Sequence, residues 1–120
     1  MMVCRGIRGA ITADYNTKDS IFAATQELFT KLVEANQIEE SQIGAVFLTT
    51  TFDLNAAFPA TAVREMGWNN IALLCSHEID VPEGLSKCIR ALILINTEKE
   101  PSDLVNVYMK KAANLRSPGT

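Results

Sequence analysis

Arg90 runs directly into Ala91-Leu92-Ile93-Leu94-Ile95, the most continuous apolar run in the chain. Such a run bounded by turn residues reads as a buried strand, here from Leu85 to Thr97 with Pro82-Glu83-Gly84 as the punctuation before it. A guanidinium entering a buried strand requires an anionic partner, because an unpaired charge in apolar surroundings is costly. Just upstream, Cys75-Ser76-His77-Glu78 supplies a thiol, an imidazole and a carboxylate, so the reactive-looking groups concentrate between Cys75 and Arg90.

The rest of the chain supplies partners for that strand. From Val3 to Thr12 a period of two puts Val3, Arg5, Ile7, Gly9 and Ile11 on one face, and Arg8 among small residues on the other. That leaves room for a group to lie against the Arg8 guanidinium, although an arginine reaching water from a strand edge has the same pattern. Thr17 reads as an N-cap, followed by a helix with Ile21, Thr25, Leu28 and Leu32 at the helical spacing. Ile43 to Thr51 is a strand by propensity, ending in threonines that line a site or are simply good strand formers. Pro59 opens a short helix that Gly67 can end, and its free N–H groups near Ala60 and Thr61 offer partial positive charge. Ile71 to Cys75 is a short strand candidate. After Pro101, Ser102 or Asp103 can cap a last helix carrying Leu104, Val107, Tyr108 and Lys111, with Tyr108 inward.

This order predicts an α+β fold, a mixed sheet with helices packed on one face. A sheet covered by so few helices invites oligomerisation. With 120 residues, 48% of them hydrophobic, the chain suits a single domain spanning 1–120, with residues 116–120 as a flexible tail.

Charge and residue counts narrow the chemistry. A net charge of -3 without basic clustering argues against nucleic acid. No run approaches the ~20 apolar residues of a membrane span, and Met1 to Gly6 does not begin a secretion signal. Three cysteines, Cys4, Cys75 and Cys88, without Cys-x-x-Cys spacing suggest reduced thiols in a cytoplasmic protein and no zinc site. One histidine, His77, excludes a His-Glu-x-x-His pair, and Gly6 and Gly9 lack phosphate-loop spacing, so neither metal nor cofactor is expected. Cys75 and His77 could pair as nucleophile and base, but as strand neighbours they point in parallel and no third group orients them. What remains is rich in arginine: Arg5, Arg8, Arg64, Arg90 and Arg116, with Glu78, Tyr108 and the Cys75 thiol. Such a set binds carboxylates and hydroxyls and is poorly suited to moving protons.

Taken together, Arg5-Gly6-Ile7-Arg8-Gly9-Ala10, Asp53-Leu54, Phe58-Pro59-Ala60 with Arg64, Gly67-Trp68, Cys75 with Glu78, Cys88-Ile89-Arg90, Val107-Tyr108 and Leu115-Arg116 resemble the AroH-type, Bacillus-like chorismate mutases over essentially the whole chain. The resemblance implies a homotrimeric pseudo-α/β-barrel with active sites at subunit interfaces. It further implies conversion of chorismate to prephenate in aromatic amino-acid biosynthesis, without metal or cofactor.

By the same resemblance, Arg90 would donate to the ether oxygen of chorismate, and Glu78 with the backbone near Cys75 would take the ring hydroxyl. Arg8 would hold one carboxylate, with Tyr108 orienting that end. Phe58 and the helix start at Ala60 would line the pocket around the other carboxylate, Arg64 and Arg116 would add positive potential or close the mouth, and Thr61, Leu74 and Leu115 would also contact substrate. The family commonly has a lysine where this chain has Thr61, and its tail usually runs Leu-Arg-Pro-Asp where this chain has Leu115-Arg116-Ser117-Pro118. Two alternatives stand beside this reading: a non-catalytic trimer binding a small carboxylate, and an enzyme like the trimeric imine deaminases. Glu78 separates them, because a hydroxyl acceptor suits chorismate.

Overall fold

The computed structural model describes residues 1–115. Five strands, β1 (Val3–Thr12), β2 (Ile43–Thr50), β3 (Leu73–His77), β4 (Cys88–Thr97) and β5 (Val107–Tyr108), form one mixed sheet in the order β3-β2-β4-β1-β5. The apolar run behind Arg90 lies at its centre, as its composition requires: β4 is antiparallel to both β1 and β2, with Ile93 opposite Ile7 on one side and Val46 on the other. Strands β3 and β5 flank this trio in parallel with β2 and β1.

Two helices cover one face: α1 (Lys18–Asn36) packs on β1 and β4, and α2 (Pro59–Glu65) packs on α1 and β3. Thr17 caps α1 as its sequence predicts, its hydroxyl accepting from the Ser20 N–H at 3.1 Å. Ile21, Thr25, Leu28 and Leu32 are buried with Phe29, which meets Trp68 edge-on at 5.2 Å between ring centres. Pro59 occupies the first turn of α2, and Gly67 at φ +100° turns the chain away after it. Gly9 leaves room for α1 and β5 against β1: a Cβ there would stand 2.8 Å from the Val107 carbonyl and 3.0 Å from both Leu28 and Leu32.

Three expectations require correction. The segment after Pro101 is not a helix. Neither Ser102 nor Asp103 is the N-cap: Glu100 is, and Asp103 closes a single 3₁₀ turn, Pro101–Asp103, its carboxylate accepting from the Glu100 N–H. Asn36 then holds the following backbone extended, donating to the Val105 carbonyl at 2.9 Å and accepting from its N–H at 2.8 Å, and Val107–Tyr108 adds to the β1 edge. Pairing of a β-branched segment with a waiting sheet edge outweighs helix propensity there. The long strand begins at Cys88 instead of Leu85, because Lys87 at φ +51° breaks the extended run.

The third concerns Arg90. It is not buried: Ile89 and Ala91 point into the core under the helices, whereas Arg90 and Leu92 point to the opposite face, which the helices leave bare and only the segment from Tyr108 to Leu115 covers, over Ala10 and Cys88. Its side chain is 46% exposed. A continuous apolar run cannot reveal that one of its two faces is open.

Candidate active site

The open face carries a cavity of about 290 Å³ lined by Arg8, Phe47, Thr49, Glu78, Arg90, Leu92 and Tyr108. Its geometry follows from register. Arg90 lies opposite Ala10 on one side and Thr49 on the other, so a small residue leaves the guanidinium free space. Tyr108 is brought beside Ala10 by β5, where it packs with Leu115 against Ala10, Cys88 and Ala112. Arg8, two residues before Ala10, shares that face, and its N–H donates to the Asn106 side chain at 2.9 Å. Among the described residues no carboxylate forms an ion pair with the Arg8 guanidinium.

Glu78 lies just beyond β3, where its N–H donates to the Thr50 carbonyl at 2.8 Å. Its Oε2 accepts the Thr49 hydroxyl and stands 3.6 Å from Arg90 Nε. The partner that Arg90 requires is thus Glu78 in the first instance, not a bound ligand alone. With both side chains partly solvated, this pair serves geometry more than stability.

A second cavity, about 360 Å³, lies at the edge between β3 and α2 and is lined by Phe58, Cys75, Ser76, His77 and the loop before Phe58. Asn16 shapes that loop, its side-chain oxygen accepting from the Asn55 and Ala56 N–H groups at 3.0 and 3.1 Å. Phe58 is 72% exposed. Ala60 is buried at the start of α2. Thr61 is half-exposed, and Arg64 projects from the exposed side of α2. Leu74, although adjacent to Cys75, alternates onto the other face of β3 and is exposed beside Phe47.

The predicted residues therefore fall into two groups. Arg8, Glu78, Arg90 and Tyr108 are brought together, with Leu115 nearby. Phe58, Ala60 and Cys75, with Thr61 and Arg64 on the same short helix, form a separate surface, and one copy of the chain does not unite the two. Arg5 leaves the constellation altogether: it donates to the Lys99 carbonyl and pairs with Glu100 at 3.6 Å. Arg116 lies outside the described residues, as does the tail expected at 116–120. Phe47 and Leu92 carry no mark of the site in the sequence, and Thr49 only that of belonging to the threonines that end its strand. Beyond that there is the period of two, which places Phe47 with Thr49 and Leu92 with Arg90 on one face.

Both inner thiols are kept protonated near neutrality. Burial pushes the Cys75 thiol up, against the smaller opposing pulls of the Ala60 backbone and the Arg64 charge. Burial likewise raises Cys88, with Arg90 pulling the other way. A neutral Cys75 is a poor nucleophile. His77 Nδ1 stands 3.2 Å from the Thr50 hydroxyl and 3.3 Å from the Thr50 carbonyl, and the ring stacks on Phe52. No group of acids, cysteines and histidine able to hold a metal gathers among the described residues, and no described helix is long and apolar enough to cross a membrane. The first cavity offers two guanidiniums, a fixed carboxylate and a phenol against apolar walls, which suits a small anion bearing a hydroxyl.

Residues 4–118 match the family described as chorismate mutase type I. Chorismate mutase AroH of Thermus thermophilus is 43% identical over 113 residues, covering 93% of each chain. That of Bacillus subtilis is 39% identical over 116 residues, covering 96% of this chain and 91% of its own. Among solved structures, a chorismate mutase from Clostridium thermocellum superposes with a TM-score of 0.88 at 48% identity, covering 90% of this chain and 96% of that one.

Proposed function

Because the chain belongs to the type I chorismate mutase family, we propose that the Arg90–Glu78 cavity is where it converts chorismate to prephenate. The reaction is a unimolecular rearrangement: the ether carbon–oxygen bond breaks while a carbon–carbon bond forms within the same molecule. No proton is transferred, so the site needs charge and shape in place of an acid–base pair. Negative charge grows on the ether oxygen as the bond breaks, and a preorganised cationic donor stabilises that charge more than it stabilises the substrate.

Arg90 is that donor, and the observation carrying the assignment is its guanidinium standing in the cavity beside a carboxylate fixed by Thr49. Glu78 accepts the ring hydroxyl while steadying Arg90. Arg8, which pairs with no carboxylate among the described residues, holds one substrate carboxylate, and Tyr108 packs beside that end. The enzyme acts as a single domain and a homotrimer, in which the Phe58–Cys75 surface of the partner subunit completes the Arg90 cavity around the second carboxylate. Two observations support the assembly: the half-sites lie apart on one copy, and Phe47, Leu74 and Leu92 leave an apolar sheet face uncovered. Leu115 packs beside Tyr108 at the edge of this cavity. Three free cysteines support a reducing, cytoplasmic setting.

Family membership favours catalysis over the carboxylate-binding and imine-deaminase alternatives. Loss of chorismate absorbance with formation of prephenate by the purified protein is the expected result. A pure trimer that bound chorismate without consuming it would reject catalysis.

A further inference from the structure

Residues 79–87 join Glu78 to the start of β4 and are held by few apolar contacts, with Ile79 87% exposed. Yet both ends of this loop must be fixed, since Glu78 stands at one and Arg90 follows the other. The fixing is done from β2. A turn over Thr51–Leu54, closed by the Leu54 N–H on the Thr51 carbonyl at 3.1 Å, presents the Asp53 carboxylate to the returning chain. Both Asp53 oxygens accept the Lys87 N–H, at 3.0 and 2.9 Å, and Oδ1 also accepts the Thr51 hydroxyl.

That hydroxyl, its proton committed to Asp53, accepts the Cys88 N–H at 3.0 Å, and the Thr51 N–H donates to the Cys88 carbonyl at 3.0 Å. The Lys87 carbonyl takes the Ala13 N–H at 2.8 Å, so the strained Lys87, at φ +51°, is gripped on both sides. The chain next reaches Cys88, whose buried side chain lies on the same face of β4 as Arg90, two residues on.

We propose that Asp53 is a positioning residue for the rearrangement: acting through Lys87, Thr51 and Cys88, it fixes where β4 begins and so aims the Arg90 guanidinium into the cavity. Asp53 is itself exposed and buries no apolar surface, so its removal leaves the core of Ile7, Val46 and Ile93 intact. The inference rests on Arg90 as the ether-oxygen donor, because a small displacement of that donor is felt in the transition state and hardly in substrate binding.

Steady-state kinetics on the full chain test it with Asp53→Ala, Thr51→Val, their double variant and Thr51→Ser. The two single losses should lower kcat roughly ten- to a hundredfold with KM little changed, as for an Å-scale misplacement of a catalytic group. The double variant should be no worse than the poorer single, because both changes break one chain of hydrogen bonds. Thr51→Ser, which keeps the hydroxyl, should restore most of kcat. If Asp53→Ala does not fold, Thr51→Val, which removes only a hydroxyl, and its serine counterpart decide the matter. Wild-type kcat in Thr51→Val or Asp53→Ala, a loss confined to KM, or losses that multiply in the double variant would overturn the assignment of Asp53 alone. A wild-type protein that does not consume chorismate would overturn the functional reading and this inference with it.

Discussion

Arg90 Nε lies 3.6 Å from Glu78 Oε2, and the same carboxylate oxygen accepts the Thr49 hydroxyl. The cation proposed to donate to the ether oxygen is thus already opposed by a charge that a strand neighbour holds in place. Glu78 fixes the guanidinium before substrate arrives, so little reorganisation is left for the reaction itself.

Arg90→Ala should reduce kcat/KM by at least the roughly hundred- to thousandfold that loss of one oxyanion donor costs, with the fold intact by circular dichroism. Arg90→Lys keeps the charge and loses the planar fork. A large loss there assigns the effect to geometry, and full activity would reduce it to bulk potential.

Removing the hydroxyl that holds Glu78, as in Thr49→Val, should weaken chorismate handling about tenfold, the equivalent of one hydrogen bond to a charged group. Thr49→Ser should behave like wild type. Equal activity of the serine and valine variants would show that Glu78 does not depend on Thr49.

Asn36→Leu tests the device that keeps the C-terminal segment extended. It removes three hydrogen bonds from a buried side chain, two of them to Val105. Thermal or urea unfolding should show a loss of about 2 to 4 kcal/mol, combining lost bonds with newly unsatisfied backbone groups. Tyr108 lies just beyond in the chain, so KM should rise as well.

Cys88 gives the pH prediction. Burial holds its thiol above the 9.0 of an unfolded cysteine. As pH climbs past 9.0 the unfolded chain releases this proton while the folded one keeps it, so folding stability falls with rising pH from there until the folded thiol ionises too. Below that window the thiol contributes no slope. Urea unfolding across the alkaline range should show a shallower decline in Cys88→Ala than in wild type, and identical slopes would contradict a raised thiol.

The sequence by itself determined the central strand, the capped helix from Thr17, the proline-started helix at Pro59 and the α+β class. Each rests on local physics: an apolar run, a 3.6-residue period, a cap, a fixed φ. It also named Arg8, Glu78, Arg90 and Tyr108. Only the tertiary structure decided that Arg90 sits on an open face, that Leu104–Tyr108 is extended, and that Phe58 and Cys75 stand apart from Arg90 on a single copy. Those outcomes depend on which sheet face the helices cover and on long-range partners such as Asn36 and the β1 edge. The spacing of residues along a chain carries no record of either.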